Sequence, residues 1–250
     1  MNDLSGRNTL VVGASRGLGR GIAQAFAEAG APVTAVARNA AALAELAATN
    51  PDIRTEVGDA ADPALAWSLI DQYEPEVLVL VAGAVPVALP LQYQTWETFS
   101  VNWHADVKIA FHWLREALLR PLPKGSRVIV MSSGAALNGS PASGGYAGSK
   151  ATQRFIAEYA QEEARRAGLG MTVTAVMPRM TPLGEVGRRG VRAYAARGGQ
   201  TEEEFIGNLG ELLTPEIAGS ALVGLVREDP AAIAPGYVLT AAGLRPVPGN

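Results

Sequence analysis

The 250-residue sequence contains no cysteine, which excludes disulfides, thiolate catalysis and thiolate-ligated metal sites. Its two histidines, His104 and His112, have no cluster of carboxylates around them, so no metal centre is expected. Aromatic residues make up 6% of the chain, and the two signs of charge nearly balance: 21 Lys and Arg face 24 Asp and Glu, a net charge of −3. Such a balance gives no electrostatic attraction to nucleic acid or to an anionic membrane. The longest uncharged apolar run, Val77 to Leu91, is too short to span a bilayer and is broken by Gly83, Pro86 and Pro90. Met1 to Leu10 lacks the basic-then-apolar pattern of a secretory signal, and a cytoplasmic location is expected. Long-period repeats and low-complexity stretches are also missing.

What is present is apolar and small. Hydrophobic residues make up 48% of the chain and there are 28 glycines, a composition suited to helices packed closely on a sheet. The length suffices for one α/β domain with a sizeable core. Short β-branched runs alternate with helical stretches. The runs Thr9–Gly13, Val33–Ala37, Ile53–Val57, Val77–Val81, Arg127–Met131, Thr172–Met177 and Tyr237–Thr240 read as seven strands, most of them apolar enough to be buried on both faces. Gly17–Ala29 reads as a helix closed by Gly30. Asp62-Pro63 and Thr214-Pro215 are helix-start signals, and Thr201 before Glu202-Glu203-Glu204 is another. Thr95–Leu119 and Gly145–Ala167 are expected to be long helices. Strand–helix alternation predicts a doubly wound, mostly parallel Rossmann-type sheet with helices on both faces, and ligands at its carboxyl edge.

The first strand runs directly into Gly13-Ala14-Ser15-Arg16-Gly17-Leu18-Gly19 and then a helix. Glycines allow a tight turn and close approach of a pyrophosphate, and the N–H groups of the helix start face that anion. Further on, Tyr146 and Lys150 are one helical turn apart and share a face. An ammonium beside a phenol favours its ionised form, which suits acid–base chemistry near neutral pH. Ser133 follows an apolar strand, thirteen residues before Tyr146, and Asn102 lies in the preceding long helix.

In these motifs, with their order and spacing, the sequence resembles the short-chain dehydrogenase/reductase family in its single-domain form, from about Thr9 to Gly243. The resemblance implies hydride transfer between a nicotinamide and a carbonyl/alcohol pair. Tyr146 would be the acid–base group. Ser133 would hydrogen-bond the substrate oxygen, Lys150 would contact the nicotinamide ribose, and Asn102 would hold a relay water. Gly13, Ser15, Arg16, Gly17, Leu18 and Gly19 would contact the cofactor in the glycine loop, and Asp59 with Ala60 its adenine. Ala82, Gly83, Pro178, Arg179 and Thr181 would line its nicotinamide half. At the end of the second strand, where an acidic residue would bind the NAD ribose, stand Arg38 and Asn39. Arg38, with Arg16, instead matches a 2′-phosphate, so NADP(H) is the expected cofactor.

Three stretches depart from the family pattern. Leu80-Val81-Ala82-Gly83 replaces Asn-Asn-Ala-Gly, losing amide side chains that tie neighbouring strands. Pro178-Arg179 replaces Pro-Gly, and Leu239-Thr240-Ala241-Ala242-Gly243 is a weakened form of Val-Asp-Gly-Gly. The first two motivate an alternative reading, a cofactor-binding sensor or scaffold with little chemistry. A nucleotide-sugar epimerase would want a larger C-terminal substrate domain. Residues 182–208 occupy the family's substrate-lid position and carry Arg188, Arg189, Arg192 and Arg197. Trp96, Trp103 and Met180 are candidates for an apolar substrate pocket. The family's dimers and tetramers form through the two long helices, so a homo-oligomer through residues near 95–119 and 145–167 is expected, with small residues on the second allowing close packing.

Overall fold

The computed structural model describes residues 4–248. From the N-terminus it runs β1 (Thr9–Val12), α1 (Gly17–Glu28), β2 (Val33–Ala37), α2 (Ala40–Thr49), β3 (Ile53–Val57), α3 (Pro63–Tyr73) and β4 (Val77–Leu80). The second half has α4 (Trp96–Asn102), α5 (Lys108–Leu119), β5 (Arg127–Met131), α6 (Ala135–Asn138), α7 (Gly144–Arg166) and β6 (Thr172–Pro178). It closes with α8 (Glu185–Gly198), α9 (Glu202–Gly207), α10 (Pro215–Arg227), β7 (Gly236–Thr240) and β8 (Gly243–Val247).

The strands form one sheet in the order β3-β2-β1-β4-β5-β6-β7-β8. All seven expected strands are present within a residue of their expected ends and pair in parallel. The sheet also has an eighth strand that the sequence pattern did not indicate, β8, antiparallel to β7. None of its residues is buried, and they include Pro246, a composition that hides an edge strand from a search for buried apolar runs. The tight hairpin is available because Gly243 takes φ +96°.

Alternate residues of each strand serve opposite faces. Val11, Val79 and Ile129 meet Ile22 and Phe26 of α1, Leu43 and Leu46 of α2, and Leu222 and Val226 of α10. Leu10, Leu78, Val128 and Val130 meet Leu69 and Ile70 of α3, Trp113 and Leu114 of α5, and Ala157 and Ala160 of α7. The helix starts follow their sequence signals. Asp62 and Thr214 cap α3 and α10, and Thr201 forms a capping box with Glu204 at α9. No helix among the described residues is long and apolar enough to cross a membrane.

The expected single helix over Thr95–Leu119 is interrupted. Between α4 and α5, Trp103–Val107 widens into a π-helical turn. Such turns recur at functional sites because the extra residue per turn re-aims side chains. Here Asn102 and Asp106 both point inward to the loop after β4. The small residues of α7 serve the interior of this chain. A Cβ on Gly145 would lie 2.0 Å from the Phe99 carbonyl oxygen, and Ala157, Ala160 and Ala164 are buried against the sheet side.

Candidate active site

The strand order reverses direction between β1, which continues outward to β2 and β3, and β4, which starts the other half. Loops leaving the carboxyl ends of these strands diverge and leave a crevice. A cavity of about 1060 Å³ occupies it, bounded by the β1–α1 loop, the ends of β2 and β3, the β4 exit, the β5 exit, the start of α7 and α8.

At one end the glycine loop is shaped for a phosphate. Gly13 (φ +102°) passes so close to the β4 exit that a Cβ would lie 2.4 Å from the Ala82 nitrogen. Gly17 has φ +54° and open space where a Cβ would sit. Arg16, at the N-cap of α1, contributes no side-chain cap. The first-turn N–H groups at Gly17, Leu18 and Gly19 therefore border the cavity without a side-chain acceptor. The residues present fit a dinucleotide pyrophosphate here. Ser15 lines the same wall. Arg38 stands exposed at the end of β2, bordering the cavity, with no salt-bridge partner among the described residues. Arg16 instead pairs with Glu185 of α8 at 2.5 Å. Asp59 accepts the Ala61 N–H at 3.0 Å, and the Ala60 carbonyl accepts Trp113 Nε1–H at 2.9 Å.

At the other end the strand exits converge. Ser132, buried, donates to the Lys150 backbone carbonyl at 2.7 Å, and the next residue, Ser133, borders the cavity beside it. Ser133 Oγ accepts the Ala135 N–H at 3.2 Å. Tyr146, on the first turns of α7, lines the same cavity. The Lys150 Nζ lies 5.6 Å from the centroid of the Tyr146 ring. Pro178, Arg179, Met180 and Thr181 follow β6 along the same wall. The Arg179 backbone N–H donates to Leu239 O at 2.9 Å, while its residue is exposed.

Lys150 is buried and fully engaged. Its Nζ donates to Gln153 Oε1 at 2.8 Å and Met131 O at 3.3 Å, and pairs with Asp106 Oδ2 at 3.1 Å. Burial pushes the Lys150 ammonium down, but Asp106, with the Tyr146 hydroxyl, outweighs it, so Lys150 is held above its ordinary value. Asn102, also buried, donates to Ala84 O at 2.8 Å. Asp106 Oδ1 accepts the Ala84 N–H at 2.7 Å. The strand exit that lacks amides at Leu80 and Val81 is thus tied from the π-helical turn. Asp106 was not among the residues the sequence singled out. Its signal was an acidic residue four positions after Asn102 in a helix that carries other charged residues as well, a spacing that normally marks only a shared helix face.

The lid segment is helical. Tyr194 of α8 hydrogen-bonds Ser140 at 2.5 Å. Arg189 and Arg192 pair with Glu185 and Glu202, and of the four lid arginines Arg188 alone lines the cavity. Of the three candidate pocket residues, Met180 lines the cavity, whereas Trp96 and Trp103 are exposed elsewhere on the surface. His104 borders the cavity from the π-helical turn.

The family profile described as short chain dehydrogenase matches residues 7–189. The chain belongs to the short-chain dehydrogenase family. It is 34% identical over 175 residues to the short chain dehydrogenase/reductase AacuD of Aspergillus aculeatus, covering 64% of this chain and 61% of that one. It is 35% identical over 127 residues to D-erythrulose reductase of Gallus gallus, covering 48% and 52%. To NADPH-dependent aldehyde reductase 2, chloroplastic, of Arabidopsis thaliana it is 30% identical over 198 residues, covering 70% and 72%. The chain thus spans about half to three-fifths of the first two relatives. A crystal structure of a short chain dehydrogenase from Mycobacterium avium shares the fold, with a TM-score of 0.79 at 23% identity, covering 99% of this chain and 86% of that one.

Proposed function

We propose that this chain catalyses NADP(H)-dependent interconversion of a carbonyl compound and its alcohol, with Tyr146 as the general acid and base. The observation that carries the reading is the meeting of Ser133, Tyr146 and the glycine loop on one cavity at the point where the strand order reverses. A bound nicotinamide supplies or accepts the hydride. In reduction, Tyr146 gives its hydroxyl proton to the substrate oxygen, and Ser133 Oγ–H steadies the charge that develops there. Lys150 keeps a positive charge beside the phenol, and Asn102 belongs to the relay that restores the proton. Oxidation reverses these roles.

Gly13, Ser15, Arg16, Gly17, Leu18 and Gly19 hold the pyrophosphate side, Arg38 the 2′-phosphate, and Asp59 and Ala60 the adenine. Ala82, Gly83, Lys150, Pro178, Arg179 and Thr181 line the nicotinamide side. The relative from Arabidopsis thaliana carries NADPH dependence in its name, in keeping with Arg38. Residues 182–208 act as the lid over the substrate, within a single domain. Two copies associate through the outward sides of α5 and α7, where Phe111, Phe155 and Tyr159 are 51%, 58% and 58% exposed.

Purified protein should oxidise NADPH with at least one member of a panel of aldehydes, ketones and quinones. Tyr146→Phe should reduce kcat at least a hundredfold while leaving NADPH binding, followed by its fluorescence, within about twofold, since general acid–base groups contribute about 10²–10⁴-fold. No turnover with any substrate, together with an unaltered Tyr146→Phe protein, would reject the enzyme.

A further inference from the structure

The interior of the site holds a carboxylate that the proposed chemistry does not use. Asp106 is fully buried, yet its carboxylate is satisfied on every side. Oδ1 accepts the Ala84 N–H at 2.7 Å, both oxygens lie 3.3 Å from Asn102 Nδ2, and Oδ2 is 3.1 Å from Lys150 Nζ. Its backbone carbonyl accepts Gln153 Nε2–H at 2.9 Å, and Gln153 Oε1 in turn accepts from Lys150. Gly83 lies against the same carboxylate, so closely that a Cβ there would be 2.8 Å from Oδ1. The π-helical turn Trp103–Val107 delivers this group to the floor of the cavity. One carboxylate thus connects the β4 exit, Asn102 and the lysine beside Tyr146.

We propose that Asp106 is a positioning residue of the active site, whose buried carboxylate fixes Lys150 as a charged, stationary ammonium beside Tyr146 and locks Asn102 and the β4 exit to it. The inference rests on the acid–base role proposed for Tyr146. Its physical basis is the cost of burying an ammonium. An isolated buried lysine sheds its proton, whereas one facing a buried carboxylate keeps it. The groups facing Lys150 are Tyr146 and Gln153 from its own helix, the Met131 carbonyl from β5, and Asp106 from the π-helical turn. Asp106 is the carboxylate in ion-pair contact with Lys150 among the described residues. The three N–H bonds of Lys150 match three acceptors, so its Nζ has one preferred place.

The sign of the consequence follows. In the Asp106→Asn protein, the main opposition to the burial of Lys150 is removed, and Lys150 loses its proton at lower pH. The positive charge beside the Tyr146 hydroxyl is then lost at lower pH, so the alkaline loss of kcat sets in at lower pH.

Two measurements test this. In the cofactor-free protein, the pH dependence of Lys150 acetylation by acetic anhydride, mapped by mass spectrometry, should have its midpoint at least one pH unit lower in Asp106→Asn than in the parent. With cofactor and substrate, the alkaline fall of kcat in the oxidation direction should begin at least one pH unit lower, and kcat at neutral pH should fall tenfold or more. KM for the cofactor should change less than threefold.

Asp106→Ser, which leaves room for solvent, serves if the Asn variant is insoluble. Added formate should then restore kcat and return the pH profile toward that of the parent. An unmoved labelling midpoint, an unmoved or upward-shifted alkaline fall of kcat, or, in the Ser variant, failure of formate to restore activity would each overturn the role of Asp106. The labelling experiment needs no turnover. If the parent is inactive with every substrate, the enzyme reading fails while the labelling still decides the Lys150–Asp106 coupling.

Discussion

Two arginines near the glycine loop have different surroundings. Arg16 spends its guanidinium on Glu185, whereas Arg38 has no salt-bridge partner among the described residues and borders the cavity. A 2′-phosphate arriving at the end of β2 meets Arg38 without first breaking an ion pair, while engaging Arg16 means releasing Glu185. Charge-assisted hydrogen bonds to such a phosphate are worth about 1.5–3 kcal/mol, or roughly tenfold to a hundredfold in affinity. Arg38→Ala should therefore weaken NADPH by about that factor and NADH by less than threefold, and Arg16→Ala should have the smaller effect on NADPH. Equal losses for the two cofactors on fluorescence titration would reject the NADP assignment. The same scale explains why Ser133 and Ser132, adjacent and chemically identical, differ. Both border the cavity, but Ser132 is buried with its hydroxyl donated to the Lys150 carbonyl, whereas Ser133 is the more exposed of the two.

Helix contact, more than helix propensity, decides the behaviour of α1 and α10. They cross at glycines. A Cβ on Gly21 would lie 2.5 Å from Pro215 Cβ, and one on Gly219 would lie 2.5 Å from Ala25 Cβ. Gly224, further along α10, faces open space with nothing within 4 Å. Alanine at the two sites should therefore have opposite effects. Gly219→Ala should destabilise by about 1–3 kcal/mol through overpacking, and Gly224→Ala should stabilise by roughly 0.5–1 kcal/mol through helix propensity. Urea denaturation midpoints measure both, and a common sign would contradict the close crossing. Residues 95–119 carry the same lesson. Their apolar spacing is helical throughout, but the inward demands of Asn102 and Asp106 impose an extra residue on one turn, which spacing alone does not reveal.

At the scale of the molecule, α5 and α7 run beside one another and leave their outward aromatics uncovered. Phe155 and Tyr159 stack on each other, with ring centroids 6.2 Å apart, and Phe111 is exposed on α5. Exposed apolar side chains gathered in one region mark an association surface more often than scattered ones do. A second copy of the chain is the proposed occupant, joined isologously as in most homodimers. Phe155→Glu with Tyr159→Glu should convert the oligomer to monomer, measured by light scattering after size exclusion, with the fold retained by circular dichroism. An unchanged mass for the double variant, or a monomeric parent, would reject this face as the interface.

The seven parallel strands, the helix caps at Asp62, Thr201 and Thr214, and the positions of the glycine loop, Ser133, Tyr146 and Lys150 were legible in the sequence. They depend on local signals: apolar runs buried on both faces, capping side chains, and glycines where the backbone must turn. Three features were decided only in the tertiary structure. β8 is an edge strand with a proline and no buried residue, so its pairing with β7 is set by the hairpin geometry at Gly243. The π-helical turn arises because partners on a distant loop draw Asn102 and Asp106 inward. Asp106 itself is one acidic residue in a helix until folding places Lys150 and Ala84, distant in sequence, within hydrogen-bond reach of its carboxylate. In the dry interior that contact determines where the lysine sits and what charge it keeps, and both depend on which groups meet there.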